Sequence, residues 1–328
     1  MYTIKDVALK AGLSQATVSR VINNHPYVSE NKRIAVKSAM KELGYVPNSS
    51  AQQMRNVKTK KIAVLVSRIA NPFFSHLVDA MEKRAATYGF QLILCNTRID
   101  KTKELEFFKL LTSKQVDGII MASVENHWSV IEPFIKYGPI IYCNEYDPDA
   151  TVTRVRLDQI EGGYMGTKHL LEKGHLKIAY CQGNDSSVSV NRRKGYLKAL
   201  AQAGIEPVKE WMFRDVFTIE DGRNIFQKIQ MLPNPPTAIF SGSDEVAAGI
   251  IHEAKKHSWH VPNDLAVVGF DDQPIAELMD PQITTINQFT TDIGYQTMDV
   301  MIGIINKTRL NDSQDILLPI ELIERQST

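Results

Sequence analysis

From position 62 onward, short runs rich in Val, Ile and Leu alternate with stretches of helical periodicity, and the alternation occurs twice. The runs are 62–67, 91–96, 116–122 and 139–143, then 177–181, 212–217, 237–241 and 265–270, with amphipathic segments near 159–173, 190–203, 219–231 and 244–257. A short strand that is apolar on both sides must be covered on both sides, and strands separated by helices pair in parallel. The pattern therefore predicts an α/β body of two similar lobes, each a parallel sheet sandwiched by helices. The stretch 292–305 places Ile293, Met298 and Met301 on one helical face, which predicts a buried helix crossing back to the first lobe. At 328 residues and 43% hydrophobic content, the chain can bury more than one core.

The first sixty residues read differently. Thr3 can cap a helix, with Asp6 at capping-box spacing, and Ile4, Val7, Ala8 and Ala11 then share one face. Gly12 stops that helix, and Ser14 can cap a second one running to about Asn23, buried through Val18, Val21 and Ile22. A third helix fits 29–43, with Ser29 as cap, Gly44 as stop, and Ile34, Ala35, Ala39, Met40 and Leu43 inward. Two short helices joined by a tight turn, with a third completing the core, form a helix-turn-helix headpiece. In such a unit the second helix enters the major groove. Gln15, Ala16 and Arg20 are then the base readers: Arg20 can donate twice to a guanine, Gln15 can pair with an adenine edge, and Ala16 can touch a thymine methyl. Ser14, Thr17 and Ser19 are suited to phosphates. Charge supports this reading over that of a plain helical hairpin. Residues 1–60 hold ten Lys or Arg against three Asp or Glu, whereas the whole chain is +1 at pH 7. A basic segment joined to a slightly acidic body suggests phosphate neutralisation at one end.

Pro47 and Asn48 break the chain, and 49–55 is too short to be a stable helix alone in water, so it reads as a hinge that orders conditionally. The expected division is a headpiece with hinge over 1–57 (hinge about 48–57), a linker at 58–61, and a body over 62–328. Within the body the first lobe takes about 62–157 plus 290–318, and the second about 158–289 plus the C-terminal segment.

In open parallel sheets, ligands bind beyond the carboxyl ends of the strands, and two facing lobes bring those ends to one cleft. The residues just past the strands are 70–74, 144–146, 241–244 and 271–272, with 191–193 opening a second-lobe helix. Rings, carboxylates, an amide and guanidiniums suit a small polyhydroxylated ring such as a sugar. Enzymatic readings find little support. There is no phosphate loop or dinucleotide glycine pattern, and 161–166, with its three glycines, reads as close helix packing. His252, His257 and His260 lack ligands at metal spacing and read as a solvated face. No catalytic residue, cofactor or metal is expected. Cys95, Cys143 and Cys181 each end an apolar run and read as buried free thiols. The start carries no signal-peptide run, and no apolar stretch reaches the roughly 18 residues of a membrane span, so a cytoplasmic protein is expected.

With these features in place, the chain resembles the lactose and galactose repressor (LacI/GalR) family over its whole length. The resemblance is carried by Ile4-Lys-Asp-Val-Ala8, Ala16-Thr-Val-Ser-Arg-Val-Ile-Asn23, Leu43-Gly-Tyr-Val-Pro-Asn48, Val116-Asp-Gly-Ile-Ile120, Ser243-Asp-Glu-Val-Ala-Ala-Gly249, Val261-Pro-Asn-Asp-Leu265 and Val268-Gly-Phe-Asp271, in order. It implies a transcriptional repressor of carbohydrate genes whose body is similar to periplasmic binding proteins, two Rossmann-like subdomains around an effector cleft. It also implies binding of a palindromic double-stranded operator as a homodimer, and, in some relatives, a phosphoprotein corepressor on the first lobe. The DNA-facing set is then Thr3, Ser14, Gln15, Ala16, Thr17, Ser19, Arg20 and Asn23 of the headpiece with Asn48, Ala51 and Met54 of the hinge. Phe73, Asn144, Arg192, Ser243, Asp244 and Asp271 match effector-contact positions. The hinge departs from the family pattern, with Gln52 in place of an Arg and Met54 in place of the wedging Leu. Met54 can still wedge between base pairs, while the missing Arg weakens phosphate contact. The end at Glu324-Arg-Gln-Ser-Thr328 shows no heptad tail, for which a dimer is expected. A second reading is a soluble sugar receptor with a vestigial headpiece, and a third is an enzyme.

Overall fold

The computed structural model describes residues 2–22, 25–45 and 58–328, in two compact units, 1–59 and 60–328. In the first unit, α1 (Ile4–Ala11), α2 (Gln15–Ile22) and α3 (Glu30–Leu43) enclose Val7, Ala8, Val18, Val21, Val36 and Ala39. The Thr3/Asp6 capping box forms: the Thr3 backbone N–H donates to the Asp6 carboxylate at 2.8 Å, and the Asp6 N–H donates back to the Thr3 hydroxyl. The Thr3 hydroxyl, donating to the same carboxylate at 2.7 Å, and the Thr3 N–H hold the Asp6 carboxyl below its usual range. Gly12 closes α1 in the left-handed conformation at φ 65°, which a residue with a Cβ reaches only with strain. The expected inward face of α3 is partly wrong. Ile34 is 59% exposed and Val36 is fully buried, because the seam runs 36, 39, 40, 43 and Ile34 lies out of phase with it. Ser29 precedes α3 but its side chain makes no capping bond. Asn23, Asn48, Ala51, Gln52 and Met54, and with them the hinge, lie outside the described residues.

The second unit begins with β1 (Lys61–Val66), α4 (Pro72–Thr87), β2 (Gln91–Asn96), α5 (Lys101–Thr112), β3 (Gly118–Met121), α6 (Trp128–Ile131), β4 (Ile140–Cys143) and β5 (Arg154–Leu157). These strands form a parallel sheet of order β2-β1-β3-β4-β5, completed by β11 (Asp315–Leu318) beside β5. Alternation along β1 sends Ile62, Val64 and Val66 into one core and Ala63 and Leu65 into the other. The first core is covered by α4 and by α12 (Thr290–Ile305), whose Ile293, Met298 and Met301 are fully buried there.

The chain passes at α7 (Gln159–Glu172) into a second parallel sheet made of β6 (Ile178–Cys181), β7 (Met212–Phe213), β8 (Ala238–Phe240) and β9 (Ala266–Val268), ordered β7-β6-β8-β9. On one side lie α7 and α8 (Ser187–Gln202); on the other lie α9 (Ile219–Gln230) and α10 (Asp244–Lys256). After α11 (Pro274–Leu278), β10 (Thr285–Asn287) pairs antiparallel with β12 (Glu321–Ile323), a ribbon near the points where the chain crosses between lobes. From β3 to β9, leaving aside β5, the strands are shorter than the apolar runs that announced them, since the flanking residues leave the ladder to form the loops at the sheet ends. Close contact of α7 with α8 explains the glycines at 161–166: a Cβ on Gly163 would lie 2.1 Å from the Arg192 carbonyl oxygen. The three cysteines are buried and unpaired. Among the described residues, no helix is long and apolar enough to cross a membrane.

Candidate functional site: an interlobe cleft and a DNA-facing helix

Each sheet has one point where strand order reverses, between β1 and β3 in the first lobe and between β6 and β8 in the second. Loops leaving adjacent strands there go to opposite faces and open a crevice. Both crevices border one cleft with about 950 Å³ of empty space, open to solvent, whose walls include Phe73, Asn144, Arg192, Ser243 and Asp271. Asp244 does not line it.

Local chemistry sets each side chain. Asn71 caps α4 by accepting the Phe73 N–H at 3.0 Å, with Pro72 in the first helical turn, and this presents Phe73 and Phe74 edge to face, ring centroids 5.3 Å apart. Asn144 leaves β4 at φ 58° and Asp271 follows β9 at φ 101°, left-handed values that non-glycine residues adopt only when their surroundings hold them. What holds them is a ring of four hydrogen bonds closed by one ion pair. The Gln159 amide donates to Asn144 Oδ1 at 2.8 Å, and Arg192 Nε donates to Gln159 Oε1 at 2.7 Å. The Arg192 guanidinium lies 4.0 Å from the Asp271 carboxylate, which accepts from Gln288, and Gln288 in turn accepts from Asn144 at 3.3 Å. Every member is at least nine-tenths buried. The ring joins the first lobe, through Asn144, to the second, through Arg192 and Asp271.

Arg192 also donates to the Gly242 carbonyl at 3.0 Å and lies 3.5 Å over the Phe270 ring. Burial is the largest influence on both charges of the pair. It pushes the Asp271 carboxyl up to about 6 against the pull of Arg192, and it lowers the Arg192 guanidinium from its ordinary range. Ser243 caps α10, accepting the Val246 N–H at 3.3 Å. Asp244 turns behind the cleft wall, fully buried, accepting the Thr285 hydroxyl at 2.5 Å and the Gln273 N–H at 2.7 Å. Desolvation and the nearby Asp271 raise its pKa well above the usual carboxylate range. Its place is to fasten the loop that carries Asp271. Asp272 forms an ion pair with Arg325 at 2.7 Å, so the two neighbouring carboxylates turn to different partners.

Sequence reasoning did not single out Gln159, Gln273 and Gln288, the neutral amides that close and brace the ring, or Arg68, which lines the cleft from the first lobe and lies 5.5 Å over the Phe217 ring of the second. Neutral amides carry no charge or periodicity signal. Gln159 alone had a positional one, directly after the Asp158 cap of α7.

In the first unit, Ser14 accepts the Thr17 N–H at 3.2 Å and so starts α2. Thr3, Ser14, Gln15, Ala16 and Arg20 are exposed, while Thr17 and Ser19 are half-buried. Gln15 and Ala16 open α2 and Arg20, its sixth residue, stands in the last turn on the same side of the helix.

Residues 3–48 match the family described as bacterial regulatory proteins, lacI family, and residues 59–326 match periplasmic binding proteins and sugar binding domain of LacI family. The chain belongs to the LacI family. This LacI-family chain is 44% identical over 329 residues to the NTD biosynthesis operon regulator NtdR of Bacillus subtilis (strain 168), covering all of both chains. It is also similar to the lac repressor dimer bound to operator and the anti-inducer ONPF, with TM-score 0.85 and 26% identity over 99% of this chain and 98% of that one. A third similarity is to the transcriptional regulator CelR in complex with cellobiose, TM-score 0.73 and 30% identity over the whole of both chains. The family and its headpiece make this LacI-family protein a DNA-binding transcriptional regulator with a sugar-binding type of effector domain, and count against a free-standing receptor.

Proposed function

We propose that this regulator is a cytoplasmic repressor of carbohydrate uptake or catabolism genes that binds a palindromic operator as a homodimer and is controlled by a sugar or sugar derivative held in the interlobe cleft. The observation that carries the reading is the buried ring of Asn144, Gln159, Arg192, Asp271 and Gln288, which ties ligand-facing groups of both lobes into one network. A ligand that exchanges hydrogen bonds with Asn144, Arg192 and Asp271 changes the ring and so favours one arrangement of the lobes over another, which is what an effector must do to shift affinity at a distance. Phe73 supplies an apolar face for a sugar ring, and Ser243 a hydroxyl at the second-lobe wall. The cleft binds its ligand without transforming it.

On the DNA side, Gln15, Ala16 and Arg20 read bases, and Thr3, Ser14, Thr17, Ser19 and Asn23 hold the backbone. Asn48, Ala51 and Met54 of the hinge meet the central minor groove. The titration that tests the reading follows full-length protein on labelled operator by fluorescence anisotropy while mono- and disaccharides are added. A subset of sugars should shift operator affinity at least about tenfold, within the range usual for allosteric coupling. Uniform indifference to every sugar would refute the cleft's assigned role.

A further inference from the structure

We propose that the effector of this cleft carries a protonated amine beside its hydroxyls, the ammonium seated among Glu125, Glu145 and Ser123 on the first-lobe wall. The proposal rests on the reading of the cleft as the effector site and adds the chemical class of the ligand.

The loop after β3 is held by a carboxylate beneath it. Glu104 of α5, fully buried, accepts the Glu125 N–H at 2.8 Å and the Asn126 N–H at 3.0 Å. With its backbone so tied, the loop lends Ser123 and Glu125 to the cleft wall, and the next loop adds Glu145. Ser123 is 5% exposed, and its hydroxyl, fully buried, has no hydrogen-bond partner among the described residues, an omission that a bound ligand repairs. Glu145 is 6% exposed and accepts the Ser187 hydroxyl at 2.7 Å.

Neither Glu125 nor Glu145 has an ion pair to a cation among the described residues. The two guanidiniums of the cleft are engaged elsewhere, Arg192 with Gln159 and Asp271, and Arg68 over the Phe217 ring. Lys101 faces Glu104 and Glu125 and is the cation whose attraction on them is felt, yet burial outweighs it at both, joined at Glu125 by repulsion from Glu104. Burial pushes Glu145 up to about 8, with Glu125 and Glu104 adding to it, and Glu125 up to about 7. Three carboxylates therefore line the cleft against two guanidiniums, and the uncompensated pair lies on one wall with an idle hydroxyl.

A neutral polyol could satisfy Ser123 but brings no charge to the buried Glu145 and half-buried Glu125, which burial holds towards the protonated form, whereas a bound ammonium draws both carboxyls into the ionised form. An ammonium has three donors and no acceptor, and two carboxylates with one hydroxyl oxygen supply three acceptors. The hydroxyls of the same molecule then face Asn144, Arg192 and Asp271.

The test is isothermal titration of the full-length protein at pH 7.5 with matched sets: glucosamine, glucose and N-acetylglucosamine, and the corresponding galactose series. The amines should bind at least about tenfold tighter than both neutral forms, a ratio equivalent to 1.4 kcal/mol. In the Glu125→Gln/Glu145→Gln double variant that ratio should fall towards one, with neutral-sugar affinity kept. Ser123→Ala should weaken amine binding by several-fold. Circular dichroism melts and DNA binding establish that each variant is folded. Neutral sugars binding as tightly as the amines, or a double variant that keeps the amine preference, overturns the inference and leaves the cleft as a sugar site. Binding by neither class overturns this inference together with the reading beneath it.

Discussion

Alanine at Gly163 should loosen the second lobe and cut the effector response with it. The new Cβ would lie 2.1 Å from the Arg192 carbonyl oxygen and 2.9 Å from its carbon, where a carbon–oxygen contact needs about 3.3 Å. The obstacle is backbone, which cannot swing aside, so α7 and α8 must separate by about 1 Å. Overpacking of this kind costs about 1–3 kcal/mol. The separation also stretches the 2.7 Å bond between Arg192 on α8 and Gln159 on α7, and a bond to a charged group contributes about 1.5–3 kcal/mol. Alanine's better helix propensity returns about 1 kcal/mol, leaving a net loss of about 1.5–5 kcal/mol. Urea unfolding followed by tryptophan fluorescence reads this directly, since Trp211 and Trp259 both pack in the second-lobe core. The same substitution at Gly303 in α12, where the nearest atom is 3.2 Å away on the Arg309 side chain, should change stability by no more than about 1 kcal/mol. An unchanged midpoint for Gly163→Ala would refute the contact between the helices and, with it, the account of how Arg192 is positioned.

Arg20→Ala should cost about 1–3 kcal/mol in operator affinity and relax sequence choice at one base pair, measured by anisotropy on a set of single-base operator variants; an equal loss on random DNA would contradict the base-reading role. Asp271→Asn should abolish the change in operator affinity on adding effector while leaving operator affinity itself within about twofold, and a preserved response would move the site. Stability of the body should fall as pH rises from 7 to 9. Glu145 titrates near 8 in the folded chain against 4.5 unfolded, so the folded state holds the extra proton, and its stabilising effect is lost as pH passes through the folded value. That loss is about 1 kcal/mol over the interval, and Glu145→Gln should remove it. Equal slopes in urea melts of the two proteins would refute the assignment.

Much of the body was legible because its strands are apolar on both sides, and a run such as Ile178–Cys181 fits nothing but the middle of a covered sheet. The cleft was partly legible for a topological reason: residues just past such strands meet at one place, and Asn144 and Asp271 were found there by position alone. Direction was not legible. Asp244 stands next to Ser243 at the start of α10, yet its carboxyl turns back to Thr285 and Gln273, a choice made by tertiary partners that no local pattern announces. The amides of Gln159, Gln273 and Gln288 escaped for the same reason. In the headpiece, the capping box of Thr3 and Asp6 was readable at a glance, whereas Ile34 misled because apolarity marks a buried residue only when it falls in phase with the seam.

The most direct test of the central claim, that a sugar-type cleft governs a DNA-reading headpiece, is selection of genomic fragments by the full-length protein at near-physiological salt, with footprinting of the recovered fragments before and after addition of the sugar panel. The account predicts a short inverted repeat, protected symmetrically, whose protection changes when a sugar or amino sugar is added. Recovery of no sequence above random DNA, or a protected repeat indifferent to every ligand of both classes, would contradict it.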